Sequence, residues 1–238
     1  MKSRKFILAS WSALLLFAAS SACAQGVTFS TRVVVHGPHS SSKKYSSKNV
    51  VVWLTPIGFT ATQPPLQHFR LVQHNKSFEP HILVVPVGAI VDFPNHDPFF
   101  HNVFSLFEGK RFDLGLYEAG STREVRFDKP GISYIFCNIH AQMSAVVVSV
   151  TTPYYAVSDA NGDVVIANVP VGRYKLRVWY ESAPEPLDAI TREIRISEKD
   201  PGIAKLDLEA AAFPATHKNM YGHDYEPPQP SSPAYEHP

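Results

Sequence analysis

Short apolar runs, each closed by proline or glycine, recur along the chain from residue 27 to residue 208. Residues 27–35 and 50–54 are rich in β-branched side chains, and the second run stops at Pro56 and Gly58. Runs at 69–73, 82–85, 90–93, 103–107, 124–127, 132–137 and 145–151 follow, punctuated by Pro86-Val87-Gly88, Pro94-Asn95 and Lys129-Pro130-Gly131. A last set lies at 164–167, 175–180, 191–196 and 203–208. Segments of this length and composition between turn residues read as strands, and none sustains a helical period over three turns. The expected fold is all-β, a sandwich or barrel. Residues 61–65 read as a linker, and the glycine-containing stretch 108–120 as a loop.

The composition adds little against this picture. Of 238 residues, 45% are hydrophobic and 18% charged, which suits a globular chain of one large or two small domains. A formal charge of +1 offers no basic surplus for nucleic acid. The N-terminus matters more. Lys2, Arg4 and Lys5 precede an apolar stretch from Phe6 to Ala19, too short to span a bilayer comfortably, and Ala22-Cys23-Ala24 has the form of a cleavage site. Residues 1–24 are expected to be a signal peptide, so the mature chain is expected to be periplasmic or secreted, with no membrane span. Cys23 leaves a lipid-modified N-terminus as an alternative, although Ser20-Ser21-Ala22 lacks the apolar residue usual three positions upstream.

Cleavage makes Cys137 the sole cysteine, so no intramolecular disulfide can form. An unpaired thiol in an oxidising compartment is a liability unless something occupies it; a plain buried core cysteine is the other reading. Cys137-Asn138-Ile139-His140-Ala141-Gln142-Met143 places a thiol, an imidazole and a thioether in one short loop. With a second histidine these are the donors of a mononuclear blue-copper site: two His and one Cys, with a weak axial Met. His101, in Phe99-Phe100-His101-Asn102-Val103, is placed to be that histidine, and His96 competes with it. Alternation in 132–137 delivers Cys137 at a strand end, and the apolar run from Ala145 follows the loop, which gives the donors a rigid mount. Structural zinc is the main rival, though zinc has little use for Met143. C-type haem lacks its C-x-x-C-H, and no H-x-H pairs suggest a trinuclear copper cluster. A Cys137–His140 catalytic pair has no oxyanion or substrate motif beside it. His81 reads as structural. Asp159, Asn161 and Asp163 read as a solvated turn, since the full calcium-loop spacing is missing. Residues 211–238, rich in Pro, Tyr and His, read as a disordered tail.

Residues 66–151 resemble the cupredoxins. The likeness rests on Phe78-Glu79-Pro80, Val87-Gly88, Val91-Asp92-Phe93-Pro94-Asn95, His101-Asn102-Val103 and Cys137-x-x-His140-x-x-Met143, the last spaced as in amicyanin. The resemblance implies a Greek-key β-sandwich with copper held by His101, Cys137, His140 and Met143. It also implies Asn102 as a supporting residue that bonds toward the ligand loop and the Cys137 sulfur. Residues 152–210 are similar to the transthyretin-like, carboxypeptidase-regulatory type of β-sandwich, through Asp159-Ala160-Asn161-Gly162 and Asn168-Val169-Pro170-Val171-Gly172-Arg173-Tyr174. The segment 25–65 looks like the opening of that second sandwich, which would make 66–151 an insertion; extension of the cupredoxin sheet is the alternative. The whole chain also looks like bacterial exported proteins labelled "methylamine utilization protein". The resemblance implies a non-enzymatic carrier of single electrons between redox proteins. A copper carrier or sensor, or a structural or binding β-protein, are the alternatives.

Overall fold

A computed structural model of the protein describes residues 26–37, 45–63, 65, 67–106, 109–183, 191–210 and 218–225. The expected signal peptide at 1–24 and most of the expected tail lie outside these residues. Every regular element among the described residues is a strand. First come β1 (Val27–His36) and β2 (Val51–Ile57). Ten strands follow: β3 (His68–Arg70), β4 (Val72–His74), β5 (Ser77–Glu79), β6 (Ile82–Pro86), β7 (Ile90–Pro94), β8 (His101–Ser105), β9 (Phe112–Tyr117), β10 (Thr122–Arg126), β11 (Gly131–Phe136) and β12 (Ser144–Val150). Then come β13 (Tyr155–Val157), β14 (Asp163–Val169), β15 (Gly172–Trp179), β16 (Thr191–Ile196) and β17 (Lys205–Glu209).

Pairing divides the strands into two sandwiches. In one, β14-β1-β17 faces β13-β2-β15-β16; in the other, β10-β7-β3 faces β6-β12-β11-β8-β9, with the hairpin β4-β5 alongside. β2 pairs with β13 and β15, so the strands on either side of residues 68–150 share one sandwich and those between build the other. Alternation explains the outer sheets. On β1 the side chains of Phe29, Thr31, Val33 and Val35 turn inward and their neighbours outward. They pack against Val52 and Leu54 of β2 and Tyr174, Leu176 and Val178 of β15.

The inner sheets are apolar on both faces. Val51 and Trp53 of β2, with Trp179 of β15, turn away from that first core and meet Ile82, Val84, Ile132, Val146, Val148 and Val150 of the other sandwich. Ala145 and Val147 of β12 point the opposite way, to a third layer with Val91, Phe93, Val103, Ile135, Cys137 and Met143. Four sheets thus stack with three apolar layers between them. This is why 50–54 and 145–148 are continuous apolar runs rather than alternating ones: both faces of β2 and β12 leave water. Each fully buried aliphatic side chain here is worth about 1.5–3 kcal/mol of transfer free energy. Polar contacts pin the seam. His81 Nε2 bonds Glu181 Oε2 at 2.8 Å, and Thr152 Oγ1 donates to the Leu54 carbonyl at 2.7 Å.

Two stretches depart from the expected pattern. The segment 108–120 carries a strand, β9, because β8 supplies a partner and a register irregularity between Asn102 and Phe104 absorbs the mismatch. The single run 69–73 is broken at Leu71, and β4 instead turns back into β5 through Asn75 and Lys76, both at positive φ (52° and 55°). Asn commonly enters that backbone region in tight hairpin turns.

Candidate metal centre

The site forms where β8 begins and β11 ends. β11 runs antiparallel to β12, and Phe136 pairs with Ser144, so the seven residues between them must turn sharply. They do so through Cys137 N–H donating to the Met143 carbonyl at 3.1 Å and Met143 N–H to the His140 carbonyl at 3.0 Å. His101 is the first residue of the fully buried strand β8, and β8 pairs with β11 through Phe104 and Phe136.

Three of the expected ligand residues meet. His101 Nδ1 lies 3.7 Å and His140 Nδ1 3.5 Å from Cys137 Sγ, and the three donor atoms all fall within 4.8 Å of one another. His101 and Cys137 are fully buried, and His140 is half-buried at the rim. Met143 is fully buried in the same apolar layer as Cys137. The two imidazoles lie 4.9 Å apart centre to centre, and the Phe99 ring sits against both, at 5.2 and 5.8 Å. His96 is exposed and outside the cluster.

Asp97 is a site residue that sequence reasoning missed. Its Oδ2 takes the His101 Nε2–H at 2.8 Å. That leaves Nδ1 without a proton and aimed at Cys137, the tautomer a metal ligand needs. Asp97 is itself held by the successive N–H groups of Asn75 and Lys76, at 2.6 and 2.9 Å. The β4–β5 turn therefore exists in part to aim two backbone donors at one carboxylate. Asn95 Oδ1 accepts from Asp97 N–H at 3.0 Å, and Asn95 Nδ2 donates to the Phe99 carbonyl at 2.8 Å. An acidic residue four positions before a candidate ligand histidine was the available signal; in Asn95-His96-Asp97-Pro98 it reads as an ordinary turn.

The electrostatics favour neutral donors. Burial pushes the His101 imidazole below its ordinary value, against the opposing pull of Asp97. Burial, with the nearby His101 and Lys76 charges, pushes His140 down to about 4. Burial pushes the Cys137 thiol up, and backbone N–H groups of Ile139, Asn102 and His140 partly offset this. Burial would also raise Asp97, but the hydrogen bonds from Lys76, His101 and Asn75 outweigh it and hold the carboxyl below its usual range. At neutral pH the pocket thus presents two neutral imidazoles, their Nδ1 atoms beside the Cys137 sulfur, and a thiol whose anion is favoured by three N–H donors. This donor set fits a soft or borderline metal ion that displaces the thiol proton.

Asn102 acts on both sides of its strand. Its backbone N–H reaches the Cys137 sulfur, whereas its Nδ2 donates to Asp113 Oδ1 at 2.7 Å and ties β8 to β9. The carboxylates of the turn at 159–163 are spent locally. Asp159 Oδ1 accepts from Asn161 and Asp163 N–H, and Asp163 pairs with Arg32 at 2.7 Å. His68, Asp92 and Glu124 also bring ligand atoms within 4.8 Å of one another, on the face of β3-β7-β10, where His68 is already paired with Asp92 at 3.1 Å.

No protein-family model and no curated protein matches the chain. Among solved structures it is similar to a purple cupredoxin from Nitrosopumilus maritimus, at 23% identity and a TM-score of 0.32 over 34% of this chain and 99% of that one. It is similar to a copper-containing nitrite reductase from Thermus scotoductus at 24% identity and a TM-score of 0.34, over 41% of this chain and 25% of that one. It is also similar to a Cu(I) form of an amicyanin mutant, at 18% identity and a TM-score of 0.33 over 42% and 98%. At these TM-scores and identities the likenesses decide nothing about function, which has to rest on the residues themselves.

Proposed function

We propose that the protein is an exported copper protein that passes single electrons between redox proteins. His101, Cys137 and His140 would hold one copper ion, with Met143 as the weak fourth donor. The observation that carries this reading is the convergence of two imidazole Nδ1 atoms and one thiol, all within 4.8 Å, in a pocket that keeps both imidazoles neutral. When bound, copper supplies a one-electron couple that thiolate, imidazole and thioether donors tune.

The chain's own residues account for the rest. Asp97 orients His101 and keeps its proton on Nε2. Three backbone N–H groups stabilise the Cys137 anion. The turn closed by Met143 and His140 limits how far the donors can separate when their charge changes. Cys137 is fully buried, so a substrate has no route to its sulfur, which favours electron transfer over chemistry on a substrate. His140 at the rim and the exposed Phe100 and Ile139 beside the ligands are the surface a redox partner would meet. The pairing of β2 with β13 and β15 supports residues 66–151 as a cupredoxin-type unit set into a transthyretin-like sandwich. The export reading comes from the N-terminal pattern at 1–24.

Adding Cu(II) to the metal-free protein is expected to produce an intense thiolate-to-copper band that is lost in Cys137→Ser, together with a reversible one-electron couple. Binding of copper without that band, or a site that takes only zinc, would overturn the reading. A potential that moves in Met143→Gln would place the thioether on the metal.

A further inference from the structure

Eight residues of the C-terminal segment lie on the metal-binding loop. Residues 218–225 form a turn closed on itself. Asn219 N–H donates to the His223 carbonyl and Gly222 N–H to the Asn219 carbonyl, both at 2.9 Å. Asn219 Oδ1 accepts from Tyr221 and His223 N–H, both at 3.0 Å, and Lys218 pairs with Asp224 at 2.5 Å. Gly222 supplies the positive φ of 81° that lets the chain reverse. This local closure explains why a segment expected to be disordered holds a shape here.

The turn makes two bonds to the loop. Tyr225 Oη donates to the Cys137 carbonyl at 2.6 Å, and Met220 N–H donates to Asn138 Oδ1 at 2.9 Å. One acceptor is the carbonyl of the Cys137–Asn138 peptide and the other is the side-chain amide oxygen of Asn138. The N–H groups of the following residues, Ile139 and His140, lower the proton affinity of the Cys137 sulfur. Holding the Cys137 carbonyl and the Asn138 side chain therefore restrains the chain that leads into those N–H groups. Tyr225 and Met220 are half-buried against the loop, while Tyr221 points to solvent at 72% exposure.

We infer that the turn 218–225 is a clasp on the metal-binding loop, with Tyr225 as its positioning residue. It restrains the Cys137 carbonyl and the Asn138 side chain at the start of the loop, and it slows opening of the loop. Its consequence for copper rests on the function proposed above; its consequence for the loop does not.

The test uses the full-length chain and compares Tyr225→Phe with Tyr221→Phe, whose hydroxyl has no bond to the loop. In the metal-free proteins, amide hydrogen exchange in peptides covering 137–143 is expected to be faster in Tyr225→Phe and unchanged in Tyr221→Phe. In the Cu(II)-loaded proteins, excess EDTA is expected to strip the metal from Tyr225→Phe roughly five-fold faster, the factor expected from losing one ordinary hydrogen bond. Exchange in Tyr225→Phe equal to wild type overturns the clasp. A wild-type chain that takes up no copper overturns the copper reading instead, and the exchange comparison still decides the clasp.

Discussion

Of the histidine–carboxylate pairs among the described residues, two share one length and differ in character. At the ligand end, His101 meets Asp97 at 2.8 Å; at the seam between the sandwiches, His81 meets Glu181 at 2.8 Å. The His101 pair is all but removed from water, with side-chain exposures of 0% and 4%, whereas the His81 pair keeps 38% and 24%. Burial is the largest influence on His101 and lowers its proton affinity, whereas the bond to Glu181 is the largest on His81 and raises its proton affinity against the effect of burial. The number of other donors on each carboxylate matters as well. Asp97 is already satisfied by two backbone N–H groups and needs no imidazolium. A histidine and a carboxylate at the same distance thus make a neutral, enclosed pair in one place and a solvent-edge pair in the other. A histidine beside a carboxylate therefore says little until its burial and the carboxylate's other partners are known.

The contrast can be broken or sharpened by experiment, beginning with the seam's apolar part. Trp53→Ala removes a side chain packed between the sandwiches and is expected to cost about 3–5 kcal/mol in chemical denaturation. The thiolate–copper band should keep its position, because nothing in that layer touches the ligands. A shifted band would mean the seam shapes the site. At the ligand end, Asp97→Asn should leave the fold intact but weaken copper binding by roughly 10–100-fold, the usual effect of removing a ligand's supporting carboxylate. Competition titration against a chelator measures it, and unchanged affinity would deny Asp97 its orienting role.

Acid should separate the two pairs in the metal-free chain. The unfolded chain takes up protons at His101 and His140 near 6.5, while the folded chain resists, at His140 down to about 4. Stability should therefore fall as pH drops from about 6.5 toward 4, and bound copper should suppress that loss. Flat stability over this range would contradict the neutral pocket. The His81 pair runs the other way. With its folded value raised, its contribution is full below 6.5 and disappears as pH rises through the raised value. Glu181→Gln should thus destabilise at pH 6 but not at pH 9, and by less than about 1 kcal/mol, because solvent screens a pair this exposed. An equal effect at both pH values would mean the bond matters only as packing.

Much of this was legible in the chain itself. The turn-bounded runs implied an all-β fold; that 50–54 and 145–148 lose water on both faces became evident only with the stacked sheets. The triad of donor residues was legible because Cys137 and His140 share one loop, and because His101-Asn102-Val103 stands directly before an apolar run. What stayed hidden depended on partners distant in sequence. β9 was masked by its glycines and became a strand only through β8. Asp97 looked like a turn residue because its donors come from Asn75 and Lys76, more than twenty positions away. The turn at 218–225 was hidden in a low-complexity tail, since its acceptors lie over eighty residues upstream.

The sequence by itself determined which donors exist and that strands would carry them, because residue type and two-residue periodicity are local properties. Tertiary structure alone decided their protonation, orientation and enclosure. Those depend on water being excluded from His101, on two backbone N–H groups reaching Asp97, and on a distant tyrosine reaching the Cys137 carbonyl. Burial and through-space hydrogen bonding are not properties of neighbouring residues, and the fold is what brings these groups together.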